Sequence, residues 1–137
     1  IDLGGGSGIL AIGALKAGAS FALALDTDPL AVQAAQRNAQ LNDIQAILQV
    51  AQGSLVEILA GNFALKQAPL VLANILAPVL VSLFKQGLAQ LLQPGGRLVL
   101  SGILENQAYE VLIAGREAGL GLIQSYQAED WLALVMG

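Results

Sequence analysis

The stretch Asp2-Leu3-Gly4-Gly5-Gly6-Ser7-Gly8 constrains this chain more than any other. It lies between a short apolar segment and a helical pattern, and four of the five residues from Gly4 to Gly8 are glycine. Glycine reaches positive φ and lets a ligand approach the backbone without meeting a Cβ. A plain connecting turn has no need of so many, because each glycine costs conformational entropy on folding. A strand, a glycine bend and then a helix together form the ligand-binding corner of an open α/β sheet.

The rest of the chain continues that theme. Short continuous apolar runs alternate with helical spacing, the pattern of strands followed by helices. Ile1–Leu3 reads as the tail of a strand, Gly8–Ala17 as a helix stopped by Gly18, and Ser20–Leu25 as a second strand. Asp28 and Pro29 supply an N-cap and a first helical residue for a helix through Leu41, ended by Asn42 and Asp43. Gln45–Val50 is a third strand, Leu55–Leu59 a short helix, and Leu70–Ala73 a fourth strand buried on both faces. Leu80, Leu83, Phe84, Gly87, Leu88 and Leu91 recur at helical spacing, which predicts one helix over Ala77–Leu92. Pro94-Gly95-Gly96 is expected to turn the chain into a fifth strand, Arg97–Ser101. A helix over Gln107–Ala118 and strands at Leu120–Tyr126 and Trp131–Val135 complete the set. So short a link between the last two suits only an antiparallel pair. The fold class expected is α/β: a Rossmann-like, doubly wound, mainly parallel seven-stranded sheet closed by a C-terminal antiparallel hairpin.

At 137 residues the chain has the size of one domain, spanning 1–137. Because it begins inside the first strand, it is expected to be a fragment cut from a longer protein. Hydrophobic residues make up 55%, which raises the membrane question. The longest uncharged stretch, Gln67–Phe84, is broken by Gln67, Pro69, Asn74, Pro78 and Ser82, whereas a spanning helix wants about 20 predominantly apolar residues. It reads better as a strand, a turn and a helix start. The first residues lack the basic start of a secretory signal, so the expected compartment is the cytoplasm. Cysteine and histidine are both absent, which removes thiolate and imidazole metal sites and every His-dependent triad; no metal is expected. The net charge is -4, and the six bases are scattered rather than gathered into a stripe. Direct nucleic-acid binding is therefore not expected.

Which ligand sits at the bend is decided by charge. Gly6, Gly8 and Ala11 also satisfy the loose G-x-G-x-x-A dinucleotide pattern, but a pyrophosphate is disfavoured by Asp2 just ahead of the glycines. A cationic sulfonium cofactor tolerates that acid. Asp2 either acts on the ligand electrostatically or holds the loop by accepting its backbone N–H groups. Asp26 closes an almost wholly apolar strand on the carboxyl edge, where a carboxylate can accept both ribose hydroxyls. Asp28, by contrast, is a helix cap. Asn74 puts an amide at the end of the fourth strand, where the sheet order is expected to reverse and substrate meets cofactor; the competing reading is an asparagine serving the turn before Pro78. Gly53-Ser54 could border an adenine, and Ser101-Gly102-Ile103-Leu104-Glu105 could line the acceptor entrance, with Glu105 as readily a solvated helix start.

With these residues in place the chain resembles the catalytic domain of PrmA-type methyltransferases, which modify amines of the large-subunit ribosomal protein numbered eleven. The resemblance runs end to end. It rests on Asp2-Leu3-Gly4-Gly5-Gly6-Ser7-Gly8-Ile9-Leu10-Ala11-Ile12, Asp26-Thr27-Asp28-Pro29-Leu30-Ala31, Ala73-Asn74-Ile75-Leu76-Ala77, and Pro94-Gly95-Gly96 with Ser101-Gly102-Ile103-Leu104. It implies S-adenosylmethionine as cofactor, with Gly4, Asp26 and Asn74 matching the family's cofactor contacts, and a separate N-terminal substrate-recognition domain lying outside this chain. The reading of the bend adds Asp2, Gly6 and Gly8 to the expected cofactor site, and Asn74 is expected to be catalytic by orienting the acceptor amine. The resemblance also implies a ribosomal protein as methyl acceptor and partner. Asn74-Ile75-Leu76 replaces the Asn-Pro-Pro-aromatic motif of amide and adenine methyltransferases, which argues against those substrates. Two alternatives stand beside this: a nicotinamide-dependent oxidoreductase domain, and a non-catalytic interaction module of methyltransferase fold.

Overall fold

The computed structural model describes residues 1–137. Seven strands and five α-helices alternate along the chain, and two compact units are distinguishable, Ile1–Leu65 and Lys66–Gly137.

In the first unit β1 (Asp2–Leu3), α1 (Ile9–Lys16), β2 (Ala22–Asp26), α2 (Pro29–Leu41), β3 (Leu48–Gln52) and α3 (Leu55–Leu59) follow one another. β1 pairs parallel with β2, and β2 parallel with β3 over Ala22↔Leu48 to Asp26↔Gln52. Helices bridge the parallel strands, as parallel pairing requires. Their small apolar faces pack closely: Ala11 and Leu15 of α1 and Ala39 of α2 join Ala22, Ala24, Ile44 and Leu48 in one buried cluster. β3 begins at Leu48 rather than Gln45 because α2 ends in a turn. The Ile44 and Leu48 amides donate to Ala39 and Ile44, which uses up the residues between as connection.

The second unit comprises β4 (Ala68–Asn74), α4 (Ala77–Gln86), β5 (Leu92–Leu104), α5 (Ala108–Glu117), β6 (Leu122–Ala128) and β7 (Trp131–Met136). β4 pairs parallel with β5, β5 antiparallel with β7, and β6 antiparallel with β7. The expected terminal hairpin is therefore present. Two expectations are revised. The helix foreseen over Ala77–Leu92 is two pieces, because Gly87 takes a left-handed conformation (φ 105) and Leu88–Leu91 tightens into a 3-10 turn. Leu80, Leu83, Phe84, Leu88 and Leu91 are buried all the same, so the apolar pattern reported burial correctly and continuity wrongly. The Pro94-Gly95-Gly96 turn does not precede β5 but bulges from within it: pairing jumps from Ala68↔Leu92 to Leu70↔Arg97, with Gly95 at φ 76. Gly115 of α5 lies so close to Met136 and Phe84 that a Cβ there would strike the methionine side chain. No helix is long and apolar enough to cross a membrane.

Candidate functional site

The glycine bend joins β1 to α1, and its geometry follows from the glycines. Gly4, Gly6 and Gly8 all have positive φ (66, 53 and 80), a conformation that costs an L side chain and leaves glycine unstrained. Their surroundings differ. A Cβ on Gly6 would meet nothing within 4 Å, whereas one on Gly8 would come within 3.2 Å of Ala35 Cβ. Gly6 thus opens toward space a ligand can fill, and Gly8 is small because α2 passes close by. Gly5 donates its N–H to the Leu25 carbonyl at 3.0 Å, and Asn38 Nδ2 donates to the Ser7 carbonyl at 2.8 Å.

Asp2 is only 1% exposed. Its Oδ2 accepts the Ala11 N–H at 3.1 Å, satisfying a first-turn donor of α1 that the N-cap residue, Gly8, has no side chain to reach. Its Oδ1 is buried and has no hydrogen-bond partner. Burial pushes the carboxyl pKa up to about 6, against the lowering effect of the Ala11 hydrogen bond. At neutral pH the group is mostly ionised, so an under-compensated negative charge lies beneath the bend. Of the two roles foreseen for this acid, holding the backbone is seen in the Ala11 bond; the electrostatic role toward a ligand belongs to the proposal below. Such a charge suits a cationic ligand and repels a pyrophosphate.

Asp26 ends β2 with both carboxylate oxygens engaged: Oδ2 accepts from Gly6 N at 2.9 Å and Oδ1 from Asp28 N at 2.9 Å. The acid anchors the bend directly. Each carboxylate oxygen has a further acceptor direction, which leaves room for hydroxyl donors. Asp28 caps α2 as expected, its Oδ1 accepting from Leu30 N at 2.8 Å with Pro29 at the first helical position. The first unit thereby brings Asp2, Gly4, Gly6, Gly8 and Asp26 into one connected arrangement.

Ser54, suggested to border an adenine, has a structural task in the fold. It caps α3 in a reciprocal box with Glu57, whose Oε2 accepts from Ser54 N at 2.7 Å and from its hydroxyl at 2.8 Å. These bonds hold the Glu57 carboxyl below its ordinary pKa. The Ser-x-x-Glu spacing is the signal that reveals this role. Asn38 and Gln52, whose side chains tie the loops to their neighbours, carry no such signal, since either sits among several equivalent polar residues.

In the second unit Asn74 is the last residue of β4, paired with Ser101 of β5. Its side chain is exposed and its Oδ1 faces Gly102. Ile75 N donates to the Ser101 carbonyl at 3.2 Å, so Asn74 still belongs to the ladder, and the turn toward Pro78 begins after it. Glu105 is exposed at the start of a 3-10 turn. No group of three or more acids could hold a metal ion.

A glycine bend resting on a buried acid, followed by a strand ending in a second acid, places the chain in the class I, Rossmann-like methyltransferase fold: α/β, with a mainly parallel seven-stranded sheet and a C-terminal antiparallel hairpin. The ribosomal protein L11 methylase of Lactobacillus delbrueckii subsp. bulgaricus superposes with a TM-score of 0.83 at 33% identity, over 99% of this chain and 67% of that one. The family model described as ribosomal protein L11 methyltransferase (PrmA) matches residues 1–137, and the chain belongs to that family. The L11 methyltransferase of Chloroflexus aurantiacus is 42% identical over 98% of this chain and 47% of its own length, and that of Pelotomaculum thermopropionicum 41% identical over 97% and 41%. The chain thus spans just under half the length of these curated relatives.

Proposed function

We propose that this chain is the S-adenosylmethionine-binding core of a cytoplasmic protein N-methyltransferase whose acceptor is an amino group of ribosomal protein L11. The reading rests on family membership, and the observation that carries its chemistry is the buried, half-satisfied Asp2 carboxylate against Gly5, next in sequence to the open Gly6. The residues fit the cofactor. Gly4, Gly6 and Gly8 would let the adenosyl and amino-acid portions approach the backbone, Asp2 would balance positive charge, and Asp26 would accept the ribose hydroxyls. Bound there, the cofactor supplies a methyl group activated by sulfonium. The same charge disfavours the nicotinamide alternative. Scattered bases give no footprint for nucleic acid, and the acceptor is taken to be protein.

Asn74 is the catalytic residue of this proposal. Its side-chain or backbone oxygen accepts an N–H of the incoming amine and aims the lone pair along the line of attack. Only the neutral amine has that lone pair. With the cofactor held at the bend, its methyl would pass from sulfur to that nitrogen, leaving the neutral thioether, and the proton would go from the methylated nitrogen to solvent. Alignment and exclusion of water provide the acceleration, with no covalent enzyme intermediate. Asn74→Ala is expected to lower kcat by about tenfold or more, the scale of one hydrogen bond made in the transition state, with cofactor affinity less affected. Unchanged turnover of L11 would remove the Asn74 side chain from the reaction.

A further inference from the structure

We infer that Gly102 is a positioning residue for the transfer reaction, holding the Asn74 amide in its working orientation by having no side chain. The inference rests on the reading of Asn74 given above and extends it to a residue on the neighbouring strand. Its basis is a bulge. Leu100 faces Leu134 and Ile103 faces Leu132 across β5 and β7, so Ser101 and Gly102 together oppose the single residue Ala133. Bulges of this kind re-aim the backbone at functional edges, and glycine in the left-handed region is their usual hinge. Gly102 has φ 76.

The bulge turns Gly102 onto the end of β4. A Cβ there would lie 2.7 Å from Asn74 Oδ1, 3.3 Å from the Ile75 carbonyl oxygen and 3.4 Å from Ile75 N. The first distance is shorter than non-bonded carbon and oxygen allow, and the other two are tight contacts against backbone. The side-chain amide of Asn74 is the softest of the three neighbours, so it is the group that must yield. It has no anchor of its own: none of the side-chain hydrogen bonds in the fold uses it, and it is exposed. Its orientation is therefore set by what it lies against, which is the bare Cα of Gly102. An added methyl group rotates the amide away.

Four proteins test this, each as the full chain: wild type, Gly102→Ala, Asn74→Ala and the double variant. With S-adenosylmethionine and L11, Gly102→Ala is expected to lower kcat by about tenfold or more while KM for the cofactor stays within about twofold. In the Asn74→Ala background the same change should alter kcat by less than about twofold, because no amide remains to displace. Backbone strain at φ 76 is common to both backgrounds, so Gly102→Ala should lower Tm less when Asn74 is absent. Losses in kcat that multiply, or an equal fall in Tm in both backgrounds, overturn the proposal. NMR reads the same coupling without turnover. The side-chain NH2 signals of Asn74, identified by their loss in Asn74→Ala, should move in Gly102→Ala, and unmoved signals overturn the proposal too. An Asn74→Ala protein with full activity sinks the amine-orienting role of Asn74, and the Tm and NMR comparisons still decide whether Gly102 holds the amide.

Discussion

Asp2 shows how a buried carboxylate can hold a backbone N–H and still carry a folding cost. Its folded pKa, about 6, lies above the ordinary 3.8 because burial penalises the charged form. A group with a raised folded pKa contributes stability that is fully present below the unfolded value and is lost as pH rises through the folded one. Relative to an Asp2→Asn variant, wild-type stability should therefore fall by about 2 to 3 kcal/mol between pH 4 and pH 8, most steeply near pH 5, midway between the unfolded and folded values. Urea unfolding of both proteins across that range measures it; a constant difference between them would show that the acid is not strained by burial. Asp26 lies in a wetter setting, and the proposed function gives it a role toward the ligand. Asp26→Ala should weaken cofactor binding by roughly 1.5 to 3 kcal/mol, the scale for hydrogen bonds to a charged group, and calorimetric titration giving equal affinity would take it out of the site. The place of both acids, one beside the glycines and one at a strand tip, was legible in sequence. That Asp26 also grips Gly6 N–H was not, because the partners are twenty residues apart.

At the level of elements, the helix boundaries were readable wherever a cap was written into the chain. Asp28-Pro29 opens α2 where expected, and Gly8 and Ala17 bound α1. Ser54 and Glu57 are the instructive case: the capping box means that Ser54→Ala should destabilise the fold by about 1 kcal/mol while leaving cofactor affinity unchanged. A fall in affinity comparable to that of Asp26→Ala would restore Ser54 to the ligand site. The split of the long helix at Gly87 was less visible, since Leu88 and Leu91 keep the same apolar spacing through the 3-10 turn. Hydrophobic periodicity reports which residues are buried, and it cannot distinguish a continuous helix from one that pauses at a left-handed glycine.

For the whole molecule, binding and stability are linked. A ligand that binds only the folded chain at about 100 times its Kd adds about 2.7 kcal/mol to unfolding. S-adenosylhomocysteine should therefore raise Tm, and NADH should not. The reverse result would favour the oxidoreductase reading, and a shift with neither would favour a non-catalytic module. The alternation of strands and helices, the hairpin, the glycine bend and the acids at the strand ends were determined by sequence alone, because each depends on local propensity, period or a motif a few residues long. Tertiary structure decided the rest: which oxygen of Asp2 has a partner, where β5 bulges, and why Gly102 must be bare beside Asn74. Those are distances between segments far apart in the chain, set when strands choose their register, and no local pattern encodes them.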